Sequence, residues 1–216
     1  MTTDHIATML APHHLAVLGG FHVIASDHLP AGTQTVVMIG PSEPGFWPHV
    51  TASPEWQDGA ADPLDRWSRR VIGRIACDLA AKALFPFGGR PWHPFHAWAV
   101  RTGRAWQSPL RLLVQAEAGL LVSYRGALAL RDRLALPPAL PRPCDRCADQ
   151  PCRSACPVHA LGPDGYDLPA CHAHLDRPAG AECMTEGCAA RRACPLSQAY
   201  ARLPEQSAYH MRQFHK

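Results

Sequence analysis

Nothing in the sequence approaches the roughly 20 consecutive apolar residues that a membrane-spanning helix needs, so it predicts no membrane span. The excess of positive over negative charge is also small, because 21 Lys and Arg against 18 Asp and Glu leave a formal net charge of +3. A charge this small and this dispersed predicts no nucleic-acid partner. The start of the chain, from Met1 to Ile6, lacks the basic and apolar segments of a signal peptide, and we therefore expect a cytoplasmic protein.

Cysteine is almost missing from the first two thirds of the chain. Of nine cysteines, only Cys77 precedes residue 144, and the other eight fall between Cys144 and Cys194. At helical spacing Cys77 lies about half a turn from an apolar stripe, and we expect it to fill a small space beneath another element. Because cytoplasmic proteins keep their thiols reduced, the concentration of the other eight indicates metal binding before disulfides.

A proline-dense connector, residues 136–143, stands directly before the cysteines. Proline cannot continue a helix or an interior strand, so we place a domain boundary there. The prediction is an α/β domain over residues 1–140 and a small cysteine-rich domain with a C-terminal tail over residues 141–216.

The N-terminal domain has the pattern of a mixed α/β (α+β) fold. Residues 34–40 form a short apolar run rich in β-branched side chains, which predicts a buried strand. Residues 63–84 repeat apolar side chains at helical spacing, with Asp62 placed as the N-cap and Pro63 at the first helical position. Residues 119–130 predict a second strand or strand pair.

The eight cysteines fall into two groups that each end in Cys-Pro. The first group has the spacing C-x2-C-x4-C-x3-C-P, and the second has eleven, four and five residues between successive cysteines. The members are Cys144, Cys147, Cys152 and Cys156 in the first group, and Cys171, Cys183, Cys188 and Cys194 in the second.

Four soft thiolates per group suit an iron–sulfur cluster, which needs four cysteines around a cube of iron and sulfide. Two structural zinc ions are the alternative, because Cys144 and Cys147 have the spacing of half a zinc site. Zinc sites, however, usually pair two short hairpins and gain nothing from a repeated Cys-Pro ending. The sequence therefore predicts two [4Fe–4S] clusters as the cofactors.

In bacterial two-cluster ferredoxins, the cysteine that precedes the proline ligates the neighbouring cluster. The same crossing in this chain predicts the following ligand sets: Cys144, Cys147, Cys152 and Cys194 for cluster one, and Cys156, Cys171, Cys183 and Cys188 for cluster two. The gap after Cys147 and the gaps in the second group are wider than in the ferredoxin pattern. This leaves the assignment of cysteines to each cluster more open than the identity of the metal.

Histidines near the cysteines are weaker candidates. His172 and His174 follow Cys171 closely, but with eight cysteines available we expect a supporting or surface role rather than ligation. His93 and His96 have a metal-like spacing without a third ligand beside them. For these two, as for the pair at residues 13–14, we expect loop packing or partner recognition.

The cysteine-rich part resembles ferredoxin-like dicluster proteins related to the C-terminal part of epoxyqueuosine reductase. The resemblance implies a nitroreductase-like α/β domain followed by a small ferredoxin-like domain with two [4Fe–4S] clusters. It rests on Cys144 to Pro157, on the isolated Cys171, on Cys188 to Pro195, and further upstream on Ser108 to Leu110, residues 116–120 and residues 126–128.

In that reductase, the clusters pass electrons to a cobalamin, and an aspartate just before the Ser-Pro segment donates a proton. Gln107 occupies this place here, and an amide cannot donate a proton as a carboxylic acid does. The chain is also short for enclosing a corrin. We therefore predict an electron-transfer protein that acts with an unidentified redox partner protein. The alternative is an oxidoreductase, a cluster-dependent reductase that uses cobalamin or another cofactor in its N-terminal domain.

Overall fold

The computed structural model describes residues 1–90 and 92–216 of the chain. The fold is mixed α/β, as the sequence predicts. The chain forms two compact units, the first from Met1–Arg104 and Ser123–Ala139 and the second from Ala105–Val122 and Leu140–Lys216. The units differ from the predicted division in one segment, because Ala105–Val122 belongs with the cysteines rather than with the residues around it.

The regular elements are short in both units. The strands are β1 (Leu15–His22), β2 (Thr35–Pro41), β3 (Lys82–Leu84), β4 (Ala105–Gln107), β5 (Leu113–Gln115), β6 (Gly126–Leu130), β7 (Leu161–Gly162) and β8 (Gly165–Tyr166). The helices are α1 (Thr3–Leu10), α2 (Phe46–Thr51), α3 (Pro54–Gln57), α4 (Pro63–Asp78), α5 (Phe95–Arg101), α6 (Leu168–Leu175), α7 (Ala181–Glu186), α8 (Ala189–Arg192), α9 (Pro195–Ala199) and α10 (Pro204–Phe214). None of the helices in the described residues is long and apolar enough to cross a membrane.

An antiparallel sheet with the strand order β1-β2-β6-β3 lies at the centre of the first unit. Strand β2 is an interior strand and is buried along its whole length, which confirms the strand predicted for residues 34–40. Strand β6 is also buried at every position. Of the predicted stretch 119–130, only residues 126–130 form a strand. Residues 122–125 have no regular secondary structure.

Helix α4 covers the sheet with the apolar face that its sequence predicts. Leu64, Trp67, Val71 and Ile75 are all buried on it. The helix begins at Pro63 as expected, whereas Asp62 has a left-handed backbone and makes no side-chain capping bond.

The prediction for residues 63–84 is wrong at its C-terminal end. The helix stops at Asp78, and Ala80 turns the chain through a left-handed conformation. Residues 82–84 then pair with β6 instead of continuing the helix. Cross-strand pairing therefore overrides the local helical spacing, a tertiary effect that local periodicity does not contain.

The expectation for Cys77 is also wrong, since this thiol is exposed near the end of α4.

The second unit has small sheets and a core that contains cysteines. Its two strand pairs are β4 with β5 and β7 with β8. Its larger group of buried residues contains cysteines as well as aliphatic side chains. The members are Leu110, Val114, Leu120, Cys152, Cys156, Ala160, Leu161, Ala190 and Cys194.

Candidate metal centre

The first three cysteines of the first group lie on tight turns. Cys144 is in a 3-10 turn over Pro143–Arg146, Cys147 follows that turn directly, and Cys152 is in a second 3-10 turn over Pro151–Arg153. A proline begins each turn, where its missing N–H has no bond to lose. The two turns place Cys144, Cys147 and Cys152 at the same cavity within nine residues of sequence.

Cys194 joins these three cysteines from a distant part of the sequence. It caps α9, with Pro195 at the first helical position, and its side chain is buried. A cavity of about 260 Å³ lies against all four residues. Apolar side chains such as Val114, Leu120 and Leu196 line much of the rest of it, together with Ser108, Arg146 and Gln150. Its cysteines are Cys144, Cys147, Cys152 and Cys194.

The four thiols of this first quartet are close enough to act on each other electrostatically. Burial raises the pKa of Cys144 and of Cys152, and the negative charges of Cys194 and Cys147 raise both values further. The guanidinium of Arg142 opposes this at Cys144 by its charge and a hydrogen bond. Thiols with raised pKa values keep their protons until something that prefers thiolates displaces them, as a bound metal does.

The remaining four cysteines form a second quartet. Cys171 lies on α6, Cys183 on α7, Cys188 at the start of α8, and Cys156 just before Pro157. Burial raises the pKa of Cys171 and of Cys183, and the charges of Cys156 and Cys188 act on both in the same direction. Cys156 is thus electrostatically coupled to cysteines 15 or more residues away, although Cys152 is only four residues before it.

Hydrogen-bond donors point at two sulfur atoms of the second quartet. The Ala160 backbone N–H donates to Cys156 Sγ at 3.3 Å, and the Tyr166 hydroxyl donates to Cys171 Sγ at 3.2 Å. Donors of this kind stabilise negative charge on sulfur. The sequence signalled the cysteines, but it contained no signal for Tyr166.

In the part of the chain that the structure describes, no group of three or more His, Cys, Asp or Glu side chains is arranged to hold a single metal ion. Four thiolates around a lone zinc ion would lie about 3.8 Å apart, because Zn–S bonds are about 2.3 Å long. A cube of four irons and four sulfides is a larger body than one ion, and its thiolates stand farther apart. The absence of such a group in the described residues therefore concerns sites for one metal ion, and not sites for a four-iron cluster.

The segment Ala105–Val122 helps to build the cavity, and the predicted division had placed it in the other domain. Its strands β4 and β5 form a hairpin whose Leu110, Val114 and Leu120 pack against the cysteines. Ser197 on α9 attaches to this segment, because its Oγ accepts a 2.9 Å hydrogen bond from the buried Leu120 N–H. Gly119 has φ +56°, and a Cβ there would lie 2.5 Å from the backbone nitrogen of Ser197.

Replacing Ser197 with alanine is expected to loosen this hairpin. The Leu120 N–H would then be buried without its acceptor, which lowers the free energy of local opening by about 1–3 kcal/mol. Hydrogen exchange of amides 105–122 in the metal-loaded protein measures this directly. Ser154→Ala is the matched control, since its hydroxyl makes only an exposed contact with Pro151 O. Equal exchange rates in the two variants would contradict the assigned role of Ser197.

Within the described residues, the structure places the following histidines in ring contacts or buried packing rather than against the cysteine sulfurs. His172 stacks on Phe214 with ring centroids 4.8 Å apart, and His174 is buried in the second unit. In the first unit, His93 stacks on Trp98, and the rings of His13 and His14 both contact that of His49. For His93, His13 and His14, the expected packing role agrees with these ring contacts, whereas any partner recognition stays a prediction.

No family model, curated protein or solved structure matches this chain. The resemblance to the dicluster proteins related to epoxyqueuosine reductase therefore stays a prediction, as do the nitroreductase-like and ferredoxin-like assignments. What the structure defines is the coarser class: a mixed α/β chain in which one compact unit holds eight cysteines.

Proposed function

We propose that this protein is an electron carrier that holds two [4Fe–4S] clusters in its second unit. One observation supports this proposal above all others. The eight cysteines of two Cys-Pro-terminated groups lie in one compact unit, where thiols from both groups surround the same apolar cavity.

The donor set suits the proposed cofactors. The first cluster would be held by Cys144, Cys147, Cys152 and Cys194, and the second by Cys156, Cys171, Cys183 and Cys188. Each set offers four soft thiolates, which this cluster type requires. The lining of the cavity is mainly apolar, and the polarity of a cluster's surroundings is one of the properties by which a protein adjusts its potential.

When bound, each cluster of this type accepts and releases one electron at a potential that its surroundings determine. The chain contributes the thiolates, the hydrogen bonds to them and the apolar packing. Since an electron carrier has no substrate of its own, it acts with a redox partner protein, which we propose to be cytoplasmic.

The alternative function, a cluster-dependent reductase with cobalamin or another cofactor in the N-terminal part, requires a proton donor. Gln107 occupies the place where the resembled reductase has an aspartate. It is exposed at the end of β4, and its backbone oxygen accepts a 2.9 Å hydrogen bond from Arg142. Because the side chain is an amide and not a carboxylic acid, we rank the carrier above the reductase.

A reductive titration of the reconstituted protein tests the proposal. Under anaerobic conditions we expect the uptake of about two electrons per chain, one for each cluster, with full reversal on reoxidation. Electron spin resonance would follow the reduced clusters, and the absorption spectrum of protein purified anaerobically would reveal a bound corrin or flavin.

The titration separates three results. Reversible uptake without a corrin or flavin supports the carrier. A stoichiometric corrin or flavin would favour the reductase instead. Stoichiometric zinc without acid-labile sulfide, in protein from iron-replete anaerobic cells, would refute both functions.

A further inference from the structure

Tyr166 is the side chain whose hydroxyl contacts a sulfur of the second quartet. Its hydroxyl donates to Cys171 Sγ at 3.2 Å. The contact follows from local structure, because β7 and β8 form a two-residue hairpin that ends at Tyr166. Asp167 then caps α6 by accepting from Ala170 N–H at 2.9 Å, one residue before Cys171. The hairpin and the cap together set the position of the ring relative to this thiol.

The C-terminal residues hold the Tyr166 ring in this place. Phe214, the last residue of α10, stacks on Tyr166 with an interplanar angle of 9° and a centroid distance of 6.1 Å. Its ring also stacks on His172, at 4.8 Å and 18°. An aromatic layer thus connects the end of the chain to the hairpin and to α6.

A hydrogen-bonded chain continues from this layer. His215 Nε2 donates to Asp176 Oδ1 at 3.0 Å, and its Nδ1 is hydrogen-bonded to His172 Nδ1 at 2.6 Å. Asp176 and His172 both belong to α6 or its C-cap. These contacts attach the C-terminal residues to the helix that carries Cys171, so they restrict the side chains that surround Tyr166.

The two quartets differ in the side chains that stabilise their sulfur atoms. Arg142 accompanies Cys144 in the first quartet, whereas Tyr166 accompanies Cys171 in the second. Hydrogen bonds to cluster sulfurs are among the factors that determine reduction potential. A donor stabilises the reduced cluster more than the oxidised one, because the reduced cluster carries one more negative charge.

We propose that Tyr166 is a positioning and tuning residue that raises the reduction potential of the cluster held by Cys171, through its O–H···S hydrogen bond. This inference rests on the proposed function, since it requires the clusters. It adds that the two clusters are unequal and that a neutral hydroxyl at the Cys171 thiolate causes part of the difference.

The test is Tyr166→Phe, which keeps the ring and its stacking on Phe214 and removes only the hydroxyl. A redox titration followed by electron spin resonance should show that one cluster midpoint potential shifts to a lower value while the other stays unchanged. The iron content should stay at about eight per chain. Resonance Raman spectra give a second readout, because transfer to D2O should shift the Fe–S(Cys) stretches less in the variant, where the Tyr166 hydroxyl is missing and the Ala160 N–H remains, than in the wild type.

Tyr124→Phe is the matched control, and both potentials should keep their wild-type values in it. The Tyr124 hydroxyl is buried in the first unit and makes no hydrogen bond within the described residues. Unchanged potentials in Tyr166→Phe with a full iron content would overturn the tuning role alone. Loss of iron from that variant would also overturn it, because Tyr166 would then be needed to retain the cluster. A wild-type protein without acid-labile sulfide would refute the proposed function, and the tuning role with it, before any variant is measured.

Discussion

Replacing Cys147 and Cys194 together with alanine is expected to remove about half of the iron, whereas replacing Cys147 and Cys156 together removes nearly all of it. Wild-type protein reconstituted under anaerobic conditions should contain about eight iron and eight sulfide per chain. The first double variant should keep about four of each, because both substitutions fall on the same proposed cluster.

The physical reason lies in the neighbours of these thiols. Cys147 and Cys194 both line the apolar cavity and both act on the pKa of Cys144 and Cys152. Cys156 belongs to the same sequence group as Cys147, yet its charge acts on the thiols of the second quartet. Substitutions at Cys147 and Cys156 therefore remove one ligand from each proposed cluster.

The two double variants distinguish crossed ligation from local ligation. If each sequence group held its own cluster, Cys147→Ala/Cys156→Ala would keep about four iron and Cys147→Ala/Cys194→Ala would keep none. That reversed result would refute the crossed partition without affecting the cluster proposal. Cys77→Ala is the control for loss of a thiol as such, and it should keep the full iron content because Cys77 is exposed in the first unit.

Removing the proposed clusters from the 216-residue chain is expected to unfold the second unit while the first unit keeps its sheet. Three of the nine residues in the larger buried group of the second unit are cysteines, and the other six are aliphatic side chains. A second group, around Leu175 and Met211, likewise contains Cys183. If the proposed clusters hold these cysteines, the free energy of cluster binding is also folding free energy.

Hydrogen exchange measures this loss of order region by region. In chelator-treated, reduced protein, amides in residues 105–122 and 140–216 should exchange like those of an unfolded chain, whereas β2 and β6 stay protected. The comparison is sharpest between residues 105–122 and β6, since they are close in sequence but belong to different units. Equal protection of both units after metal removal would contradict the prediction.

Some elements of the first unit were predictable because their signals are local. The run of β-branched residues at 34–40 and the apolar face of α4 are properties of consecutive residues, and both appear where the sequence predicts them. The end of α4 was not predictable in this way. Residues 82–84 pair with a strand more than 40 residues later, and a local pattern contains no information about that partner.

The candidate site also has some features that are local in the sequence and others that depend on the packing of distant segments. The sequence alone identified the residues that we propose to carry the chemistry, because eight cysteines and two Cys-Pro endings can be recognised without a structure. Three further features became visible only in the folded chain: residues 105–122 pack against these cysteines, Cys77 is exposed, and Tyr166 reaches the sulfur of Cys171. The reason is that the chemical nature of a side chain belongs to its own residue, whereas its neighbours depend on how distant segments pack.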